Sequence, residues 1–227
     1  MNLDNSSFSK IVCFSYSNNN KVYNITYPTI KTYCEKHDYK FIPYHTNLEY
    51  EYKPHWNKIH YAIKTLQDCG CEYVIWFDHD IVIKNFEIKL ENIIKDYGFD
   101  NTESLFMMSQ DPASHFPFNT GVIVFKNCKE TLKIFEGFLE MRNNPEKYPL
   151  LHKYGGINFN GGMQDTRVML AFFEDNNQIL LSIPHKILQS FYGQAEFYTN
   201  GDFCGHVAGP QGDNLIQKLN ELKELDI

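Results

Sequence analysis

Residues 72–85 read EYVIWFDHDIVIKN. The run VIWF leads straight into Asp78-His79-Asp80, and the apolar IVI follows. A short continuous apolar run with polar flanks is the mark of a strand buried on both faces. In an α/β sheet, ligands bind beyond the carboxyl ends of the strands, which is where this acidic triplet falls. Residues i and i+2 of an extended chain point to the same side, so Asp78 and Asp80 are expected to converge while His79 points away. Two adjacent carboxylates repel unless a cation sits between them. A hard divalent ion with oxygen ligands meets that need, and it can also bridge a diphosphate. The competing reading is a strand followed by an Asp-rich turn. A lone D-x-D is common, and its position directly after VIWF is what favours the functional reading.

Working outward, KIVCFSY (10–16) reads as a first strand, and Asn18 to Asn20 as a loop. Tyr27, Ile30, Tyr33 and Cys34 have helical spacing over 27–37, with Pro28 in the first turn. YKFIPYHT is a second strand. Residues 56–69 form a helix with Trp56, Ile59, Ile63 and Leu66 on one face, ending near Gly70. The third strand is EYVIWFD, the fourth SLFMMS and the fifth TGVIVFKN. Helices are expected over 128–144 and 164–176, separated by a Gly- and Asn-rich loop at 155–162. QILLSIP is a further strand, and the tail from Asn214 has helical spacing. The order β-α-β-α-β predicts an α/β fold with a mixed, largely parallel sheet flanked by helices, in one domain over residues 1–227.

The 227-residue chain carries a net charge of −7 without blocks of like charge, so a nucleic-acid surface is not indicated. A phosphorylated ligand would need a local cation. The N-terminus lacks the pattern of a signal peptide, and no run approaches the roughly eighteen apolar residues of a membrane span, so a cytoplasmic location is expected. Cys69 and Cys71 are too close in sequence for an ordinary disulfide, and the six cysteines are expected to be reduced.

With WNK, WFDHD, FNTGVIVFKNC and GHVAG in this order, the chain resembles glycosyltransferase family 34. That group contains retaining galactosyl-, mannosyl- and xylosyltransferases with a GT-A (Rossmann-like) fold and a metal-binding DxD motif. The likeness runs from TIKTYCEKHDYKF to His206; family 8 shares the plan and is the near competitor. The resemblance implies transfer of a sugar from a nucleoside-diphosphate donor, UDP in preference to GDP, to a hydroxyl of a glycan or other acceptor, with retention. It implies a metal site of Asp78, Asp80 and His206. An imidazole beside two carboxylates suits Mn²⁺ better than Mg²⁺, which stays the alternative ion. Asp78 would also lie near the ribose.

The implied donor-binding set is Ser15, Lys58, Asp78, Asn119 and Gly121. Lys58 would approach the diphosphate, the Asn119 amide would bind sugar hydroxyls, and Gly121 would let the backbone come close to the ligand. Gln164 and Asp165 would face the reacting carbon, and Trp56 would be core. Plainer readings stand beside these: His206 as a loop histidine, Asn119-Thr120-Gly121 as a turn, and Asp165 as a stabilising first-turn carboxylate. The family usually places a Lys five residues after its histidine, where this chain has Gln211. Residues of about 8–130 would form a nucleotide-sugar half and about 131–227 an acceptor-side half. The lack of a membrane anchor differs from the family's Golgi members and suits a bacterial or large-DNA-virus source. Two other readings are a sugar nucleotidyltransferase and a non-catalytic, metal-dependent sugar-binding protein. The first is disfavoured by FSYSNNNK after strand one, where a Gly-rich basic loop is expected.

Overall fold

The computed structural model describes residues 10–49, 53–112, 116–154, 164–193 and 198–225. The first strand, β1 (Ile11–Tyr16), leads into helix α1 (Asn20–Lys36). This helix starts at Asn20, not at Tyr27, because Asn19 caps it: its side-chain oxygen accepts from the backbone amides of Lys21 and Val22 at 3.0 and 3.4 Å. Pro28 therefore sits inside the helix, on its exposed face, where the missing amide is least costly. Strand β2 (Lys40–Tyr44), a short 3₁₀ turn (Pro54–Trp56), α2 (Asn57–Asp68) and β3 (Tyr73–Phe77) follow.

Next come β4 (Ile81–Ile83), α3 (Leu90–Asp96), β5 (Phe106–Ser109), β6 (Val122–Lys126) and α4 (Lys129–Asn143). The chain continues with α5 (Leu150–Lys153), α6 (Asp165–Asp175), β7 (Leu180–Ile183), β8 (Ser190–Phe191), β9 (Cys204–His206) and α7 (Gly212–Glu224). The Gly- and Asn-rich loop expected at 155–162 lies outside the described residues. Among the described residues, no helix is long and apolar enough to cross a membrane.

The main sheet has strand order β2-β1-β3-β6-β5-β7. Only β6 runs against the others. Both faces are covered, which is why the central strands read as unbroken apolar runs. Val12, Phe14, Val74 and Trp76 pack into one core with α2, α4 and α6, while Ile11, Cys13, Ile75 and Phe77 pack into a second core with α1 and α3. The alternation puts Trp76 and then Asp78 on the α2 side of the sheet.

A small second sheet, β4-β9-β8, was not foreseen from sequence. Its strands are only two or three residues long. Helix α7 seals it: Leu215, Leu219 and Leu222 pack with Val22, Val82 and Val207. Each such fully buried leucine contributes about 1.5–3 kcal/mol. Gly205 makes room for this helix, since a Cβ there would lie 2.5 Å from a Leu222 methyl. The C-terminal helix thus holds β9, and with it His206, against the strand that follows the acidic triplet.

Candidate active site

Because β6 is antiparallel, its first residues lie at the same sheet edge as the last residues of β3 and β5. The register Phe77–Val122 places Thr120-Gly121 beside Asp78, whose backbone amide donates to the Gly121 carbonyl at 2.7 Å. Residues 78–81 form a turn closed by the Ile81 amide on the Asp78 carbonyl at 3.2 Å. The acidic triplet is thus on a turn, not on extended chain. Asp78 and Asp80 still converge, but His79 does not turn away: all three line one cleft of about 850 Å³.

His206 reaches the same place from β9, which pairs Ile81 with His206 across to β4. One ligand atom from each of Asp78, Asp80 and His206 falls within 4.8 Å of the others, a spacing that a single cation can span. The His206 Nε2 is 3.2 Å from Asp80 Oδ1. Burial pushes the Asp80 carboxyl up, but the charge and hydrogen bond of His206 outweigh it and bring it down to about 2. Burial likewise pulls His206 down, yet Asp80 overcomes this and raises it. Asp78 stays raised, chiefly by burial, with Lys58 opposing. Two oxygens and an imidazole nitrogen, partly dehydrated and already pairing one with another, make a donor set suited to a divalent ion.

The opposite wall carries Asp165, at the first turn of α6, with Gln164 just before it. Lys58 of α2 lies between the two walls and is 4% exposed. Its Nζ is 3.2 Å from Asp78 Oδ1 and 3.1 Å from Asp165 Oδ2, and it donates to the Thr120 carbonyl at 3.1 Å and hydroxyl at 3.3 Å. Burial would lower the Lys58 ammonium, but Asp165 and Asp78 more than compensate and raise it. Burial would raise Asp165, and Lys58 wins there too, keeping it an anion. Lys58 is thus an electrostatic strut between two carboxylates, its ammonium already engaged by protein groups.

The other expected residues divide. Asn119 lines the cleft, and its amide is held by protein: Oδ1 accepts from the Gly121 amide at 2.8 Å and Nδ2 donates to Asp111 at 3.1 Å. Gly121 faces protein, since a Cβ there would lie 2.3 Å from Gln189 Oε1 and 2.6 Å from His206 Nδ1. Ser15 is fully buried in β1 and is not among the cleft-lining residues, which there are Tyr16 and Ser17. Trp56 is fully buried, with Arg142 over its ring. Gln211 lines the cleft at the N-terminus of α7.

Sequence reasoning missed four contributors. Trp76 donates from its ring to Asp78 Oδ1 at 2.8 Å, and its i, i+2 spacing to Asp78 was the available signal. Thr166 meets the Thr120 hydroxyl at 2.9 Å. His55 approaches Asp165 to 4.0 Å. Gln189 lies just before β8, and nothing local in sequence marks it. The six cysteines are free, with the sulfurs of Cys69 and Cys71 in contact at 2.6 Å.

The sequence profile of the galactosyl transferase GMA12/MNN10 family matches residues 6–215. No curated protein matches the chain in sequence. Among solved structures, a glycosyltransferase involved in the glycosylation of the major capsid of PBCV-1 superposes with a TM-score of 0.71 at 17% identity, covering 93% of this chain and 98% of that one. The apo form of the glycosyltransferase GlyE of Streptococcus pneumoniae TIGR4 gives 0.59 at 12% identity, covering 96% of this chain and 61% of that one. Mouse xyloside xylosyltransferase 1, apo form, gives 0.53 at 10% identity, covering 87% and 97%. These likenesses establish the fold as that of the GT-A glycosyltransferases.

Proposed function

The chain belongs to the galactosyl transferase GMA12/MNN10 family, glycosyltransferase family 34, and on that premise we propose a metal-dependent sugar transfer from a nucleoside-diphosphate donor to an acceptor hydroxyl. The observation that carries the metal dependence is the meeting of Asp78 and Asp80 with His206, which is distant from them in sequence, on one wall of the cleft. These three would hold the ion, Mn²⁺ in preference to Mg²⁺. When bound, it supplies positive charge against the diphosphate leaving group. The Lys58 ammonium is already engaged by Asp78, Asp165 and Thr120, and Lys53 is the other lysine lining the cleft.

Asp165 is buried, anionic and turned into the cleft. A fixed carboxylate placed there lowers the energy of an oxocarbenium-like centre more than that of the neutral donor, which is what catalysis requires. Lys58 positions Asp165 and Asp78 relative to each other. Gln164 presents its amide beside Asp165, suited to a sugar or acceptor hydroxyl. Asn119 borders the same space. On family grounds the donor base is uracil, with guanine as the alternative, and the acceptor attacks from the face the leaving group departs, giving retention. The donor would occupy the part contributed by about residues 8–130, and residues of about 131–227 would form the acceptor side while lending Asp165 and His206 to the shared cleft.

Titration calorimetry with UDP in Mn²⁺ and in EDTA, followed by a turnover screen of nucleotide sugars, tests this reading. Strong binding with Mn²⁺, little in EDTA, and release of UDP from one nucleotide sugar in the presence of an acceptor are expected. Equal binding in both buffers would refute the bridging cation, and binding without turnover would leave a sugar-binding protein.

A further inference from the structure

Gln189 is 3% exposed and lies where β8 begins, one residue before Ser190, which pairs with Gly205 next to His206. The orientation of its amide is determined by a chain of contacts that starts at a backbone amide. The Gly121 N–H donates to Asn119 Oδ1 at 2.8 Å, so that atom is an acceptor. Asn119 Nδ2 correspondingly faces the Asp111 carboxylate at 3.1 Å. The Gln189 atom 2.9 Å from Asn119 Oδ1 must then be its NH₂ group, Nε2. Its Oε1 is left pointing elsewhere, buried and without a hydrogen-bond partner among the described residues.

A second orphan lies beside it. His206 directs Nε2 to Asp80 at 3.2 Å, and its Nδ1 is buried without a hydrogen-bond partner. Both orphans flank one point: an ideal Cβ on Gly121 would be 2.3 Å from Gln189 Oε1 and 2.6 Å from His206 Nδ1. One is an acceptor, and the other becomes a donor when the ring carries its proton on Nδ1. A buried acceptor and a buried ring nitrogen left without partners both carry a desolvation cost. With no Cβ on Gly121, both atoms can approach one common point beside its Cα.

We infer that Gln189 is a positioning residue for the metal site: its Oε1 accepts the His206 Nδ1–H and so holds the ring with Nε2 turned toward Asp80 and the cation site. Ligating histidines generally need such a partner on the second nitrogen, and its loss weakens metal binding by about 10- to 100-fold. The inference rests on the metal reading proposed above, and it adds a path, Asp111–Asn119–Gln189–His206, linking the strand-five edge to the ligand.

The test compares Gln189→Met with Gln189→Glu. Both lose the NH₂ bond to Asn119, but only Glu keeps an acceptor toward His206. Mn²⁺ affinity, read by calorimetry without donor, should fall about 10- to 100-fold in Met and far less in Glu. In the metal-free protein, a long-range proton–nitrogen NMR spectrum should show a protected His206 Nδ1–H in wild type and Glu, and its loss in Met. Equal weakening in both variants, or unchanged affinity in Met, would overturn the positioning role, as would wild type lacking the Nδ1–H signal. A wild type that binds no Mn²⁺ overturns the metal reading instead, and the imidazole proton still decides whether the Gln189 bond exists.

Discussion

Gly121→Ala distinguishes two accounts of one glycine. If Gly121 serves close approach of a donor sugar, a methyl group there obstructs the donor and leaves the cation site intact. The structure points the methyl group the other way. Its carbon would lie 2.3 Å from Gln189 Oε1, 2.5 Å from His206 Cε1 and 2.6 Å from His206 Nδ1. Ordinary contacts need about 3.5 Å or more, so the imidazole and the amide must retreat by roughly 1 Å. Neither is a free side-chain end. The His206 backbone is paired on both sides, to Ile81 and Phe191, and Gln189 is tied to Asn119. Metal sites tolerate about 0.2 Å in ligand distance.

Overpacking of this kind costs about 1–3 kcal/mol, which is a melting-temperature loss of several degrees for a chain of this length. Mn²⁺ affinity should drop at least about tenfold, in line with a displaced ligand. Calorimetric Mn²⁺ titration without donor, with a thermal melt of the same sample, measures both. Wild-type Mn²⁺ affinity combined with impaired UDP-sugar binding would refute the packing argument and restore the close-approach role.

Asp165→Ala should lower kcat by about a hundredfold or more while donor affinity changes little. Asp80→Ala should instead lose metal and donor binding together. A less stable but fully active Asp165 variant would reduce that residue to a helix-start carboxylate. Lys58→Met leaves Asp78 and Asp165 buried without their shared cation, and should destabilise the fold by about 3–5 kcal/mol in denaturant titrations. The pH dependence carries a sign. In wild type the Asp165 carboxyl is lowered in the folded state, so its contribution is present above the ordinary carboxylate value of 3.8 and is lost as pH falls below it. In Lys58→Met, burial dominates and raises both carboxyls, so the folded state binds the extra protons. That variant should gain stability on going from neutral to mildly acid pH, whereas a loss over that range would show that Lys58 is not their partner.

The main sheet was legible because its information is local. Apolar runs such as IVCFSY and YVIWF specify strands buried on both sides, and the spacing of Ile59, Ile63 and Leu66 specifies a helix face, whatever else the chain does. Asp78 and Asp80 were legible for the same reason: an acidic pair at the end of a buried strand is a statement about neighbours in sequence. His206 and Asp165 were placed by resemblance to a family, since neither stands out by its own surroundings in a chain with nine histidines.

What the sequence could not express is which distant atoms share a volume. Strands of two or three residues such as β8 and β9 carry too little periodicity to be seen; they exist because α7 and β4 cover them. Nothing near Lys58 in sequence reveals that the fold puts two carboxylates within 3.2 Å of it. Nor does the sequence show that Gln189 and His206 pack where a Gly121 side chain would be. Hydrophobic patterning along the chain decides which segments are buried, but the partner of a buried charge is decided only when segments from far along the chain close upon it, because electrostatic pairing depends on distance in space.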